Sequence, residues 1–162
     1  MSQPSSTPPN TPVSLAANEP FFGIQRTYLR GQSLEIPLGA QAFLEQGTPT
    51  MNLNLQIENR LLADAVYEVV LRATLTSEIN GKTLFLLEAD QAGIFEIRNV
   101  SDEHLRDLLE INGPAILGPY LRAQLADTLT RATLPLFYMP EINWPALAMQ
   151  NRQQQAQPVQ LH

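Results

Sequence analysis

The sequence predicts an α+β fold: a four-stranded antiparallel sheet with a long helix and a C-terminal helix packed on one face. Three observations lead there. Apolar residues alternate with period two through successive segments between Phe21 and Val100. The last two segments meet at Asn80-Gly81, a dipeptide that favours the tight turn of a hairpin. After Val100 the apolar spacing lengthens to the helical three and four. Strands therefore precede helices, with none of the alternation that a parallel sheet needs.

Composition sets the limits. The chain has 162 residues and is 44% hydrophobic, which suits one domain with a sizeable core. We place that domain at 21–150. Residues 1–20, with Pro4, Pro8, Pro9, Pro12 and Pro20 among Ser, Thr and Asn, read as a disordered tail. Residues 151–162 read as a flexible Gln-rich tail. No apolar run approaches the roughly 20 residues that span a bilayer. The first twenty residues lack the basic and apolar blocks of a secretory signal, so a cytoplasmic location is expected. There is no cysteine, which excludes disulfides, thiolate catalysis and Cys-based zinc sites. The formal charge is −6 without a long basic run. Nucleic acid is therefore disfavoured, and basic partners are favoured.

The first strand starts at Phe21. Phe22, Ile24, Arg26 and Tyr28 alternate with Gln25, Thr27 and Leu29, Gly31 interrupts, and Leu34-Glu35-Ile36 resumes up to Pro37. A Gly inside a strand marks a bulge or bend. Residues 37–50 form a crossover loop around Ala42-Phe43-Leu44. Either this cluster is functional or it pins the loop to the core, and the pattern favours pinning. Met51 to Glu58 alternates strictly, as a half-buried strand does.

Val66 to Val100 forms the central hairpin, and two loops fit it. A two-residue loop pairs Ile79 with Lys82, and Glu88 with Ala73. A three-residue loop with Gly81 in the left-handed position pairs Glu78 with Lys82, and Arg72 with Glu88. Each opposite-charge pair adds about 0.2–1 kcal/mol, which favours the second. That pairing collects Tyr67, Val69, Leu71, Ala73, Leu75, Phe85, Leu87 and Ala89 on one face. The other face carries Glu68, Arg72, Thr74, Thr76, Glu88 and Asp90, but also Val70, Leu84 and Leu86. Those aliphatics mark a docking surface, or else a loop or terminus covers them.

Ser101 or Asp102 caps a short helix carrying Leu105, Leu108 and Leu109, with Asp102 and Glu103 at the favoured end of its dipole. Gly113-Pro114 is expected to break it. The long helix is expected to start near Pro119 and to pack its Leu121, Leu125 and Leu129 stripe on the sheet. Leu134 to Pro140 reads as a connector. Asn143 caps a last helix with Trp144, Leu147 and Met149 on its apolar side.

Chemistry is sparse. No nucleophile elbow, phosphate loop, zinc-protease helix or dinucleotide fingerprint occurs. His104 reads as solvated, and Glu88/Asp90 as a solvated carboxylate pair with too few converging oxygens for a metal. No catalytic residue, metal or cofactor is expected, and the chain is not read as an enzyme. Apolar residues outside evident core positions are more informative: Phe43 and Leu44, Leu136 to Met139, and Trp144, Leu147 and Met149. They line either a binding groove or a second core, and spacing favours the core.

The stretches Ile24-Gln25-Arg26, MNLNL, LADAVYEVVLRATLT, QAGIF from Gln91, Gly118-Pro119-Tyr120 with Arg122, and LPLFYMPEINWPALAMQ before the Gln-rich tail resemble the SecB family of protein-export chaperones. The resemblance runs from about Phe22 to Gln155. It implies a homotetramer, a dimer of dimers with helices between two sheets. It implies ATP-independent holding of unfolded precursor proteins and their delivery to the SecA translocation motor, in the bacterial cytoplasm. It places client binding at Phe43, Leu44, Leu136, Phe137, Trp144 and Leu147. Motor docking falls to Glu35, Leu86 and Glu88, and the tetramer interface to Phe85, Leu87, Ala89 and Gln91. Two positions depart from the family: Gly31, where an acidic residue is common, and Gly47, where a tryptophan is usual. A rival reading is an adaptor that recruits a partner through its acidic sheet face and holds no client.

Overall fold

The structure is a computed structural model that describes residues 18–156. The tail expected over 1–20 therefore lies almost wholly outside the described residues. Strand β1 (Phe21–Glu35) leads through a 3₁₀ turn (Gly39–Leu44) to β2 (Thr50–Ala63), β3 (Val66–Ile79) and β4 (Lys82–Arg98). Helix α1 (Asp102–Asp107), a π turn (Leu108–Asn112), α2 (Gly113–Arg131) and α3 (Trp144–Ala156) follow. The four strands form one antiparallel sheet in the order β1-β4-β3-β2.

Alternation decides which face is inside. Val69, Leu71, Ala73 and Leu75 of β3 and Phe85, Leu87, Ala89 and Phe95 of β4 are buried in one cluster with Leu117, Leu121, Leu125 and Leu129 of α2. Those four leucines recur at intervals of four, which puts them on one helical stripe. Full burial of such a side chain contributes roughly 1.5–3 kcal/mol, so this layer dominates stability.

Hairpin pairing departs from expectation. Asn80 (φ 51°) and Gly81 (φ 73°) form a two-residue turn with Ile79 opposite Lys82. Positive φ at both central residues gives the twist that a hairpin needs. The register then shifts: Glu78 faces Thr83 but Ser77 faces Phe85, leaving Leu84 as an extra residue. That bulge restores the expected faces while moving the partners by two. Arg72 lies opposite Asp90, not Glu88, and Glu88 lies opposite Thr74. In β1 the register shifts twice, and the second shift falls at Arg30, beside Gly31.

The helical region differs more. Gly113-Pro114 does not break the chain. Helical geometry passes from α1 through the π turn, where the Gly113 N–H donates to the Leu108 carbonyl, into α2. Pro114 directly follows the π turn, so the gap that a proline leaves in the helical hydrogen-bond ladder falls where the ladder is already irregular. Pro119 lies inside α2, not at its start. It is exposed, while Leu117 and Leu121 on either side are fully buried, so packing outweighs the lost hydrogen bond. Ser101 is the cap of α1, accepting from the His104 N–H at 3.2 Å. Helix α3 continues through Ala156, past the boundary expected at residue 150. The remainder of the expected Gln-rich tail lies outside the described residues.

Candidate binding surfaces

The sheet offers two different surfaces. On β4, Phe85, Leu87 and Ala89 point under α2, so Leu86 and Glu88 point outward. Glu35 of β1 lies directly opposite Leu86, and Ser33 opposite Glu88. All three residues expected at the docking surface therefore share one patch of the outer face, with Glu35 and Glu88 exposed and Leu86 half-buried. Of the three aliphatics expected outside, Val70 and Leu84 are buried. Leu84 joins the core cluster at its bulge. Val70 lies in a hollow lined by Arg30, Glu58, Asn59, Arg60 and Glu68.

Beyond that patch the outer face is tied by charge. Arg72 donates twice to Asp90, from Nε at 2.7 Å and from Nη2 at 2.8 Å, and lies 3.7 Å from Glu58. The guanidinium hydrogen bonds hold the Asp90 carboxyl below its ordinary range. Tyr28 of β1 lies opposite Ala92 and donates its hydroxyl to Glu68 of β3. Its ring thus crosses β4 above the small alanine. Arg60 of β2 donates to the same carboxylate at 2.6 Å, so one network joins β1, β3 and β2. Glu68 is only 2% exposed. Burial alone raises its pKa, but the bonds from Tyr28 and Arg60 outweigh it, and the carboxyl sits below its ordinary value. The Tyr28 phenol is pushed up, first by its bond to Glu68 and then by burial.

The inner face is apolar and incompletely covered. Phe43 and Leu44 do not pin the crossover loop: they are 52% and 69% exposed, and Ala42 is the residue buried there. The loop is held instead by polar contacts to the hairpin turn. Lys82 Nζ lies 2.8 Å from Glu45, and Asn80 Nδ2 donates to Glu45 at 3.1 Å and to the Gln46 carbonyl at 3.0 Å. Those bonds, from Lys82 first and then Asn80, hold the Glu45 carboxyl low. Gly47 follows at φ 129°, a conformation that a tryptophan adopts only under strain.

The connector after α2 is fixed by Arg122, whose Nε donates to the Met139 carbonyl at 2.8 Å and whose Nη2 meets Glu141 at 3.0 Å. Leu134 and Met139 are buried, Leu136 is exposed, and Phe137 packs half-buried on the core cluster. Trp144 rests on α2 at Gly118, where a Cβ would lie 2.7 Å from Cζ2 of the ring. Leu147 lines a cavity of about 500 Å³ whose apolar part is Leu53, Leu55, Pro140 and Ile142 and whose polar part is Asn54, Gln56, Gln150, Asn151 and Gln154.

The six residues expected at the client site thus split. Phe43 and Leu44 stand on the loop, Leu136 is exposed on the connector, Phe137 and Trp144 pack on the core, and Leu147 alone of the six lines this cavity. Sequence reading missed the opposite wall. Leu53 and Leu55 were visible as the apolar face of β2, but nothing in an alternating strand says that its face is only partly covered. Phe85, Leu87, Ala89 and Gln91 form one row, all buried within the single chain.

Comparison with known proteins accords with this geometry. The model of the family described as preprotein translocase subunit SecB matches residues 15–155. The protein-export protein SecB of Burkholderia multivorans is 47% identical over 148 residues, covering 89% of this chain and 92% of that protein. Its counterpart in Burkholderia vietnamiensis is also 47% identical, over 135 residues, covering 83% and 85%. A solved SecB-like chaperone of Mycobacterium tuberculosis, in complex with an antitoxin peptide, shares the fold. It superposes with a TM-score of 0.61 at 15% identity over 75% of this chain and 91% of the other. A family match over nearly the whole domain, with relatives this similar along most of both lengths, establishes that the chain belongs to the SecB family.

Proposed function

We propose that this protein-export chaperone holds unfolded precursor proteins on its inner, apolar side without ATP and delivers them to the SecA motor through its outer face. The carrying observation is the alternation of β4, which turns Leu86 and Glu88 outward and Phe85, Leu87 and Ala89 inward. One strand thereby serves two surfaces of opposite chemistry. Holding is differential: an unfolded chain exposes apolar segments that its native form buries. Binding the unfolded state alone shifts its folding by mass action.

Glu35, Leu86 and Glu88 form the docking patch for a basic partner segment. Phe43, Leu44, Leu136, Phe137, Trp144 and Leu147 contribute to client binding, together with Leu53, Leu55 and Ile142. The assembly is a homotetramer, a dimer of dimers. Phe85, Leu87, Ala89 and Gln91 act on it through α2, which they support from beneath. Several grooves on one tetramer let one client engage more than one site, which raises avidity. The working compartment is the bacterial cytoplasm, and the activity is binding, not catalysis.

Light scattering tests this reading, on the protein alone and with one equivalent of a chemically unfolded protein. A mass near four chains that rises by one client, with the folded form unbound, is the expected result. A monomer indifferent to unfolded protein overturns it. Glu88→Lys separates the surfaces: motor binding falls about tenfold or more, the scale of a reversed charge in an interface, while client holding stays unchanged. Equal loss of both overturns the separation, and motor binding without holding in the wild type makes the protein an adaptor.

A further inference from the structure

The crossover loop keeps two large apolar side chains in water, side by side. Phe43 and Leu44 close the 3₁₀ turn and are 52% and 69% exposed. Burying either one would be favourable, so something must hold them out. Two anchors flank the pair. Ala42, just before it, is buried. Glu45, just after it, is gripped by the turn of the central hairpin: Lys82 Nζ donates to it at 2.8 Å and Asn80 Nδ2 at 3.1 Å. The same Asn80 amide donates to the Gln46 carbonyl at 3.0 Å. The Glu45 side chain is only 11% exposed, although Gln46 and Gly47 after it are exposed. The hairpin turn is a firm place to fasten a loop. Asn80 and Gly81 both take positive φ, which sets the two-residue turn, and Ile79 and Leu84 on either side are buried in the core cluster.

We propose that Asn80 and Lys82 are positioning residues for client binding: by gripping Glu45 and Gln46 they keep Phe43 and Leu44 outward, as a fixed apolar contact for an unfolded segment. The proposal rests on the holding function above. A contact that already stands in its binding conformation loses less conformational freedom when a client arrives. The grip is modest, because Lys82 is 52% exposed and a surface ion pair is weak. It therefore acts on the loop and not on the folding of the domain. Asn80 has two duties, since its backbone makes the turn and its side chain holds the loop.

Those duties can be separated. Asn80→Gly keeps a residue that adopts positive φ freely and removes only the amide. Lys82→Glu sets a like charge beside Glu45, and Lys82→Glu combined with Glu45→Lys restores the opposite pair. Each full-length variant is compared with the wild type by amide hydrogen exchange over residues 43–47 and by affinity for reduced, carbamidomethylated α-lactalbumin. Exchange is expected to accelerate in Asn80→Gly and Lys82→Glu, and affinity to fall about two- to tenfold, the scale of one or two exposed hydrogen bonds. The charge swap recovers most of that loss. In a Phe43→Ala/Leu44→Ala protein, itself a weaker binder, Asn80→Gly has no further effect, because both changes act through one contact. Unchanged exchange overturns the grip. Faster exchange with unchanged affinity overturns its role in binding, and so does an equal loss with and without Phe43 and Leu44. If the wild type and the Phe43→Ala/Leu44→Ala protein bind the probe equally well, the proposal falls and the holding reading stands. A wild type that never binds the probe overturns the holding reading, and this proposal with it.

Discussion

The two faces of the sheet are held by different forces. On the inner face, aliphatic and aromatic side chains of β3 and β4 meet four leucines of α2, and all are buried. On the outer face, Arg72 with Asp90, and Tyr28 and Arg60 with Glu68, tie the strands by charge and hydrogen bonds. The inner contacts stabilise in proportion to area and are indifferent to pH. The outer contacts stabilise modestly and depend on protonation. The division places an apolar surface and a charged one on the two sides of a single sheet, each held by its own kind of contact.

The largest test of that contrast is Leu121→Ala. Leu121 is fully buried between α2 and the sheet, and removing the three outer carbons of its side chain is expected to cost about 2–5 kcal/mol. Urea unfolding followed by circular dichroism reads the loss directly. A cost below about 1 kcal/mol would break the comparison, since truncation of a half-exposed outer residue costs that much on its own.

Removing the outer charge tie comes next. Arg72→Met is expected to cost about 1 kcal/mol at pH 7, because both partners keep some contact with water. Its pH signature is more telling. Asp90 binds its proton less tightly in the fold than when unfolded. The pair therefore contributes in full above the ordinary aspartate range, near 3.9, and loses its contribution as pH falls through the depressed folded value. Wild-type stability should drop across that acid window, and Arg72→Met should drop less. Parallel curves for the two proteins would remove Arg72 as the cause.

The same contrast explains what could be read in advance. Faces were legible because a period of two fixes them, whatever the partner strand. Partners were not, because Leu84-Phe85-Leu86-Leu87 is apolar throughout and hides the extra residue of the bulge. Glu35, Leu86 and Glu88 fall on one patch of the outer face because all three follow strand parity. The groove was harder. Its walls come from β2, the connector and α3, and no periodicity within one segment reports how two segments are spaced. The end of α3 looked like a tail because glutamine carries no apolar pattern. Glutamine is nonetheless a good helix former, and the single Arg152 finds its partners more than forty residues away. Gly113-Pro114 misled because the usual breaker signature also suits a π turn that feeds a helix.

The smallest predicted effect carries the opposite sign. Ser77 sits on the inner face opposite Met51 and Phe85, fully buried, and its hydroxyl has no hydrogen-bond partner among the described residues. A buried hydroxyl without a partner costs about 1–3 kcal/mol on protein scales, although alanine suits a strand slightly less than serine's neighbours do. Ser77→Ala is therefore expected to raise stability by up to about 1 kcal/mol in the same urea assay. This is where the inner face breaks its own rule, carrying a polar atom that it cannot satisfy. A loss of stability on removing the hydroxyl would mean that it is satisfied in solution, and that the inner layer admits a polar contact next to Phe85.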